Sequence, residues 1–439
     1  MWMITSSSFS QFSISDNQRF LLKDGKPFFW LGDTGWELFH RLNREEADTY
    51  LKKRSEQGFT VIQAVVLAEM DGLHTPNANG DTPLINDDPA QPNEKYFQHV
   101  DYIIDKANEY HINIALLPTW GDKVFKDRWG KGPEIFNEQN GAAYANWIAT
   151  RYKNKTNILW ILGGDRVPRE KDIKVWNAMG NAIMKATNNK AIISFHTQPN
   201  QLGSAQWFHK ESWLSFNMFQ TGHCRDEKVY DRIQKVYNMQ PYKPVMDGEP
   251  IYEDHPVCFN VKDLGTSSAY DVRKSAYLDL FAGAFGHTYG CHDIWQMYSP
   301  KVEPVNGPHF AWTDALTLPG AEQMKYIRKL IESRPMPDRI PDQSSIKENN
   351  LTAAERIQPT RGKDYMFVYT AAGKPITVLP RKIRGGMLRA CWYNPRNGER
   401  TDIGSVVNSK ENIFTPPDSG YGHDWVLVLD DVAAHYPQL

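Results

Sequence analysis

Residues 158–165 read ILWILGGD, an apolar run that ends in two glycines and a carboxylate. A continuous apolar run of this length is typical of a parallel strand that is buried on both faces. Residues 244–250, PVMDGEP, repeat this form with a short strand that leads to Asp247 and Glu249. Two buried strands that each end in an acid favour an α/β fold with polar side chains at the carboxyl edge of its sheet.

Apolar runs and amphipathic stretches alternate as far as about residue 335. The first amphipathic stretch shows a capping box, because Asn43 is followed three residues later by Glu46. Eight strand–helix units in about 320 residues predict a (β/α)8 TIM barrel. An open doubly wound sheet would usually carry G-x-G-x-x-G after its first strand, whereas residues 31–36 read LGDTGW. The predicted strands are residues 28–31, 59–67, 112–117, 158–162, 191–195, 213–219, 245–249 and 285–289.

The composition changes after the last predicted barrel helix. Residues 333–350 are rich in proline and polar residues, which is typical of a linker. Short apolar runs without a helical period follow, and they predict an antiparallel β-sandwich. We therefore predict two domains: a barrel with a short N-terminal extension over residues 1–340 and a sandwich over residues 350–439. The predicted sandwich strands are residues 365–369, 376–379, 387–393 and 425–429.

Composition excludes several classes of function. The 439 residues carry a net charge of −2, so the chain has no basic excess for binding nucleic acid. We find no apolar run as long as the ~18 residues of a membrane span. We also expect the protein to be a monomer. The start, MWMITSSSFSQFS, lacks the features of an intact signal peptide. The protein is then either cytoplasmic or, if a leader has been removed, periplasmic or secreted.

Two acids are the main candidates for catalysis. Asp165 and Glu249 follow predicted strands four and seven, at the edge where barrel enzymes carry their active sites. Paired carboxyl groups suit glycoside cleavage: one protonates the leaving oxygen, and the other attacks the anomeric carbon or activates a water. A separation of about 5 Å would give retention and ~6.5–9.5 Å inversion, and the sequence leaves both open. Either acid could instead cap a helix or pair with arginine. A proton donor needs a raised pKa, which an arginine aimed at Asp165 would lower, so the catalytic assignment predicts that Arg166 points away from Asp165.

Other strand ends carry side chains suited to holding a sugar, whose C–H faces stack on aromatic rings. Aromatic residues make up 12% of the chain. Core packing or internal hydrogen bonding is the alternative explanation for each of these residues. The candidates for substrate binding are Asp33, Trp36, Trp120, His196, Gln220, His223, His287 and Tyr289.

We expect no metal and no cofactor. His287 and His292, with the nearby Asp293, match no zinc motif. The four cysteines have no C-x-x-C spacing, and a chain of this size does not need a disulfide framework. No G-x-S-x-G elbow marks a serine esterase.

Longer segments resemble a known family. Residues 22–63, LKDGKPFFWLGDTGWELFHRLNREEADTYLKKRSEQGFTVIQ, are the most specific of them, together with 158–165, 244–250 and 392–398, WYNPRNG. They resemble the apiosidase-like glycoside hydrolases, glycoside hydrolase family 140, over nearly the whole chain. The acids after strands four and seven are similar to those of the retaining clan that includes glycoside hydrolase family 5. That clan usually has Asn-Glu after strand four, whereas this chain has Gly164-Asp165.

The resemblance implies an oligosaccharide or polysaccharide substrate and a retaining hydrolase that cuts bonds beside apiose in plant pectin side chains. It also implies that Asp165 is the acid/base and Glu249 the nucleophile. The departure at Gly164-Asp165 leaves one alternative, a non-catalytic carbohydrate-binding protein on a degenerate barrel. A collagen-binding role has been suggested for domains similar to the C-terminal one, but the residues here favour packing against the barrel.

Overall fold

The computed structural model describes residues 12–349 and 351–439. The start of the chain, for which we predicted no intact signal peptide, and Asn350 in the predicted linker lie outside the described residues. Within the described ranges, no helix is long and apolar enough to cross a membrane. The described chain begins with a small antiparallel sheet. Its strands are β1 (Phe12–Ile14), β2 (Leu21–Lys23) and β3 (Lys26–Phe28).

A parallel eight-stranded sheet forms the larger part of the described structure. Its strands are β4 (Trp30–Thr34), β5 (Val61–Leu67), β6 (Asn113–Thr119), β7 (Ile158–Gly163), β8 (Ile193–His196), β9 (Asn217–Gln220), β10 (Val245–Glu249) and β11 (Gly286–Tyr289). Their order is β8-β7-β6-β5-β4-β11-β10-β9. The two outer strands come together, and Ser215 N donates to the carbonyl of Ile193 at 2.8 Å. The predicted TIM barrel is therefore confirmed.

Helices follow most of the barrel strands. They are α1 (Leu38–Arg41), α2 (Arg44–Glu56), α3 (Glu94–Glu109), α4 (Glu138–Tyr152), α5 (Glu170–Ala186), α6 (Ala205–Phe208), α7 (Val229–Tyr237), α8 (Val261–Leu264), α9 (Ala269–Phe281), α10 (His292–Trp295), α11 (Trp312–Ala315) and α12 (Pro319–Glu332). The capping box predicted at the start of α2 is confirmed: Glu46 N donates to Asn43 Oδ1 at 2.8 Å, and Asn43 N donates to Glu46 Oε2 at 2.9 Å.

The C-terminal region forms an antiparallel six-stranded sheet of order β12-β13-β14-β19-β16-β17 and a two-stranded sheet, β15-β18. The strands are β12 (Ile340–Pro341), β13 (Ile357–Arg361), β14 (Tyr365–Thr370), β15 (Ile376–Val378), β16 (Met387–Tyr393), β17 (Arg400–Val407), β18 (Asn412–Phe414) and β19 (Trp425–Asp431). The two sheets share an apolar core that includes Val368, Trp392 and Leu427. This architecture confirms the predicted antiparallel β-sandwich.

Helix α9 connects the two regions. Twelve of its 13 residues are buried, because the barrel covers one side and the C-terminal sheet the other. Tyr277 stacks on Tyr369 with ring centroids 4.9 Å apart. Arg273 donates two hydrogen bonds, of 2.8 and 2.6 Å, to the buried carboxylate of Asp424. The sandwich is thus packed against the barrel through both apolar and charged contacts.

The structure contains one cysteine pair that the sequence did not predict. Cys224 and Cys258 form a disulfide, whereas Cys291 and Cys391 are free and buried in the described structure. The bonded pair is 34 residues apart and joins the segment after β9 to the loop after β10. Short-range spacing rules miss such a pair, because only the barrel brings these two segments together.

Candidate active site

The end of β7 turns sharply before Asp165. Gly163, Gly164 and Asp165 all have positive φ, of 88°, 117° and 53°. A Cβ atom on Gly164 would lie 2.8 Å from the Trp120 ring, and one on Gly163 would lie 2.1 Å from the His196 carbonyl. The glycines therefore allow close packing of protein atoms.

Glu249 is the last residue of β10, and its carboxylate lies between two histidines. Its Oε2 atom is 2.8 Å from His196 Nε2, and its Oε1 atom is 3.4 Å from His223 Nε2. The side chain is only 7% exposed. The closer contact is chiefly electrostatic, because neither His196 Nε2 nor Glu249 Oε2 has a well-aligned hydrogen-bond partner among the described residues. The two imidazoles thus provide polar partners for a carboxylate that would otherwise be buried alone.

The two acids predicted to be catalytic lie close together. A carboxylate oxygen of Asp165, a ring nitrogen of His196 and a carboxylate oxygen of Glu249 all lie within 4.8 Å of one another. The Asp165 Oδ1 atom is buried and has no hydrogen-bond partner among the described residues. Strands four and seven of the barrel therefore deliver two carboxyl groups to one site across a short gap.

Arg166 points away from the Asp165 carboxyl group, as predicted. Its guanidinium donates to the main-chain carbonyls of Phe125 at 2.6 Å, Asp165 at 2.7 Å and Lys126 at 3.1 Å, and also to Trp129. The arginine therefore holds the loop after β6 against the loop after β7. It leaves the Asp165 carboxyl group free to face Glu249.

The surroundings separate the pKa values of the two acids. Burial, followed by the negative charge of Glu249, raises the pKa of Asp165 to about 6. Burial would also raise the pKa of Glu249, but its contacts with the imidazoles of His196 and His223 outweigh burial and lower that pKa below its usual value. Near pH 5 the site therefore holds a protonated Asp165 beside an ionised Glu249, the arrangement that acid–nucleophile chemistry requires.

Two predicted aromatic residues lie behind this pair. The Trp36 ring centroid is 5.2 Å from that of Trp120 and 5.3 Å from that of His196. Each tryptophan is only 2% exposed. They pack around His196 and fix its ring, so their main contact is with the protein and not with open solvent.

The remaining predicted residues fall into two groups. Gln220 lies within hydrogen-bonding reach of the Asp165 carboxyl group, and His223 contacts Glu249, so both belong to the site. Asp33, His287 and Tyr289 do not join it, because each is buried with a partner in the barrel wall. Those contacts are Asp33 with Arg54 and Tyr50, both at 2.6 Å, His287 with Asp279 at 2.9 Å, and Tyr289 with Glu253 at 2.6 Å. A structural role explains these three better than the sugar contact that we expected.

Three residues of the site were absent from our sequence predictions. Glu69, just past β5, is partly buried, and its pKa is raised well above the usual value by burial and then by the charge of Asp165. Tyr252 and His255, in the loop after β10, contact the His223 ring with centroid distances of 4.5 and 4.1 Å. The sequence did carry a signal for Glu69, because this acid lies two residues beyond the predicted strand 59–67. The other two lie in a loop whose course the pattern did not reveal.

The three central side chains also have a spacing that could hold a metal ion. Ligand atoms around a tetrahedral zinc lie about 3.3 Å apart, given bonds of ~2.0–2.1 Å. The contact of 2.8 Å between His196 and Glu249 is shorter than that and would have to open. The expected absence of a metal remains a prediction.

Comparison with known proteins adds to this geometry. Residues 15–338 match the family described as Apiosidase-like, catalytic domain. Residues 340–430 match a family described as a collagen-binding domain of a collagenase. No protein with a curated description matches the chain.

Solved structures extend the similarity over the whole chain. A glycoside hydrolase family 5 protein from Bacteroides vulgatus ATCC 8482 is 34% identical with a TM-score of 0.90, and the match covers 98% of this chain and 95% of that one. A second structure, described as a glycoside hydrolase, is also 34% identical, with a TM-score of 0.88 and coverage of 96% and 97%. The paired acids, the barrel and these matches agree, and the chain belongs to the apiosidase-like glycoside hydrolases.

Proposed function

We propose that the protein hydrolyses glycosidic bonds in side chains of plant cell-wall polysaccharides, with retention of anomeric configuration. The observation that carries this proposal is the separation of at most 4.8 Å between the nearest carboxylate oxygens of Asp165 and Glu249. Retaining enzymes hold their two carboxyl groups about 5 Å apart, whereas inverting enzymes need ~6.5–9.5 Å to admit a water. The separation here is too short to place a water between Glu249 and the anomeric carbon.

In the first step, a Glu249 oxygen attacks the anomeric carbon while the bond to the leaving oxygen breaks. Asp165 gives its proton to that oxygen, so the leaving sugar departs as a neutral alcohol. His196 and His223 favour the ionised Glu249 and orient its oxygens. Gln220 performs the corresponding orienting role for Asp165.

In the second step, water releases the sugar from Glu249. Formation of the glycosyl ester removes the negative charge that helped to raise the pKa of Asp165. Asp165 is then the base that takes a proton from the attacking water. The ester bond to Glu249 breaks, and both carboxyl groups return to their starting states.

The proposed substrate follows from the family. Residues 15–338 match apiosidase-like catalytic domains, so we propose that the cleaved bond lies beside apiose in pectin.

For the C-terminal domain we propose support of the barrel instead of collagen binding. The buried contacts of Arg273 with Asp424 and of Tyr277 with Tyr369 favour that role.

The stereochemical outcome tests the mechanism. The purified protein is incubated with apiose-containing pectic oligosaccharides, and the anomer released first is identified by proton NMR before it mutarotates. Retention is expected, and initial release of the opposite anomer would refute it. Treatment with EDTA should leave the rate unchanged, whereas a loss restored by zinc would instead favour a metal held by Asp165, His196 and Glu249.

Chemical rescue assigns the two roles. Asp165→Asn and Glu249→Gln should each reduce turnover about 10²- to 10⁴-fold or more without unfolding the protein. On a substrate with an activated leaving group, azide should rescue Asp165→Ala through a glycosyl azide of retained configuration. Azide should rescue Glu249→Ala through the inverted azide. Exchange of these two outcomes would reverse the assignment.

We also propose that the protein works in an oxidising compartment, the periplasm or the cell exterior. The disulfide between Cys224 and Cys258 supports this, since such bonds are rare in reducing cytosol. Thiol titration of denatured protein from its native compartment should detect two free thiols, and four after reduction. Four thiols before reduction would contradict the proposal.

A further inference from the structure

An exposed aromatic side chain lies beside the proposed active site. Phe259 is 65% exposed, although a phenylalanine gains stability when it is buried. Its ring centroid is 4.9 Å from that of His255 and 5.7 Å from that of His223. Since His223 also lies 3.4 Å from a Glu249 oxygen, one imidazole separates the exposed ring from the reacting carboxylate.

The backbone holds this ring in a fixed place. Cys258 and Phe259 have φ values of 50° and 58°, a left-handed conformation that is uncommon for residues other than glycine. The disulfide from Cys258 to Cys224 fastens the loop, and Cys258 N donates to the His223 carbonyl at 2.9 Å. Strained backbone of this kind persists where the surroundings determine it, and it is common at ligand sites.

Apolar exposure continues along the same loop. Val261 and Leu264, which begin and end α8, are 54% and 43% exposed. Exposed apolar side chains close to one another in the chain are typical of a binding surface when they lie beside a functional site. Because His223 contacts both Phe259 and Glu249, the occupant that fits best is another part of the same substrate.

We propose that Phe259 is a stacking platform for the sugar unit next to the one whose bond is cleaved. The ligand is a pyranose or furanose ring that lays its C–H face on the phenyl ring, with Val261 and Leu264 along its edge. The disulfide keeps the platform at the height of Glu249. This inference rests on the proposed function and adds a second subsite to it.

Kinetics on two substrates test the platform. On a pectic oligosaccharide, Phe259→Ala should raise KM roughly tenfold and change kcat little, whereas Phe259→Trp should stay near wild type. On an aryl glycoside of the single cleaved sugar, Phe259→Ala and wild type should be alike. Ile413→Ala is the matched control, because this side chain in β18 is 69% exposed and lies in the C-terminal domain.

The disulfide provides a second test. Cys224→Ser/Cys258→Ser should raise KM for the oligosaccharide in the same direction as Phe259→Ala and should add little when combined with it. Equal KM values for Phe259→Ala and wild type would overturn the proposal. The proposal would also be overturned if Phe259→Ala hydrolysed both substrates equally poorly. A wild-type dimer in sedimentation that this substitution dissociates would overturn it too. Failure of the wild type to hydrolyse either substrate would instead overturn the proposed function.

Discussion

At the residue scale, the chemistry depends on two similar carboxyl groups that are placed in different surroundings. Both are shielded from water, so position in the barrel alone would raise both pKa values. Two histidines contact Glu249, whereas the Asp165 Oδ1 atom has no partner in the described part of the chain. The histidines therefore decide which acid is ionised.

This difference predicts the pH dependence of hydrolysis. The reactive form needs a protonated Asp165, whose pKa is about 6, and an ionised Glu249, whose pKa is lowered. The value of kcat/KM should therefore fall about tenfold per pH unit above pH 6, because the proton of Asp165 is lost there. A pH profile between 4 and 9 measures this. An activated leaving group, which needs no proton, should flatten the alkaline limb, and a limb that persists would contradict the role of Asp165.

The raised pKa of Asp165 also predicts that removing its charge stabilises the folded protein. A folded-state pKa above the unfolded value means that the folded protein binds this proton more tightly, so stability falls as pH rises from about 4 to about 6. Above about pH 6, the ionised Asp165 destabilises the folded protein by its full amount. Asp165→Asn should therefore raise the melting temperature at pH 8 and have less effect at pH 4. A lower melting temperature at pH 8 would show that this carboxylate stabilises the fold.

At the element scale, the barrel strands could be predicted because they are buried on both faces and strongly apolar. The predicted bounds of β10 and β16 match the structure, and the other predicted strands overlap with it. Strand β17 was missed, because none of its residues is buried and no apolar pattern marks it. Strand β13 was missed because Pro359 interrupts it and the run before it resembles a linker. Asp165 and Glu249 could be found at strand ends, but loop residues such as His255 could not.

The turn after β7 gives an element-scale prediction. A side chain on Gly164 would meet Gly121 N at 2.7 Å, at a φ of 117° that other residues avoid. Gly164→Ala should therefore cost about 1–3 kcal/mol of folding free energy and displace Asp165, which would also lower kcat. Denaturant unfolding and turnover measure the two effects. Gly386→Ala is the control, because its Cβ would meet nothing within 4 Å; equal effects in both variants would contradict the packing argument.

At the scale of the whole molecule, the C-terminal domain is part of the barrel's packing. It covers α9, whose side chains would otherwise face solvent. A second buried ion pair, Arg334 with Asp430 at 2.8 Å, adds to that of Arg273 with Asp424. Two related structures are each 34% identical to this chain over nearly its full length, so the similarity includes both regions. We propose that residues 1–340 and 350–439 are separate domains in sequence but one unit in stability.

This packing predicts the effect of breaking one ion pair between the domains. Arg273→Met leaves the carboxylate of Asp424 buried without its partner and should cost about 3–5 kcal/mol. Lys347→Met, which breaks an exposed pair with Glu411, should change stability by less than about 1 kcal/mol. Calorimetry should show a single transition that shifts down in the first variant. Two separate transitions in the wild type would contradict the view that the domains unfold together.

The central claim is that Glu249 forms a covalent bond to the sugar while Asp165 supplies the proton. An activated 2-fluoro glycoside of the substrate sugar slows release from the nucleophile and allows the intermediate to accumulate. Mass spectrometry of peptides from the inactivated protein measures where the sugar is attached. The account predicts one sugar on the peptide that contains Glu249, and attachment to any other residue, or turnover without a covalent intermediate, would contradict it.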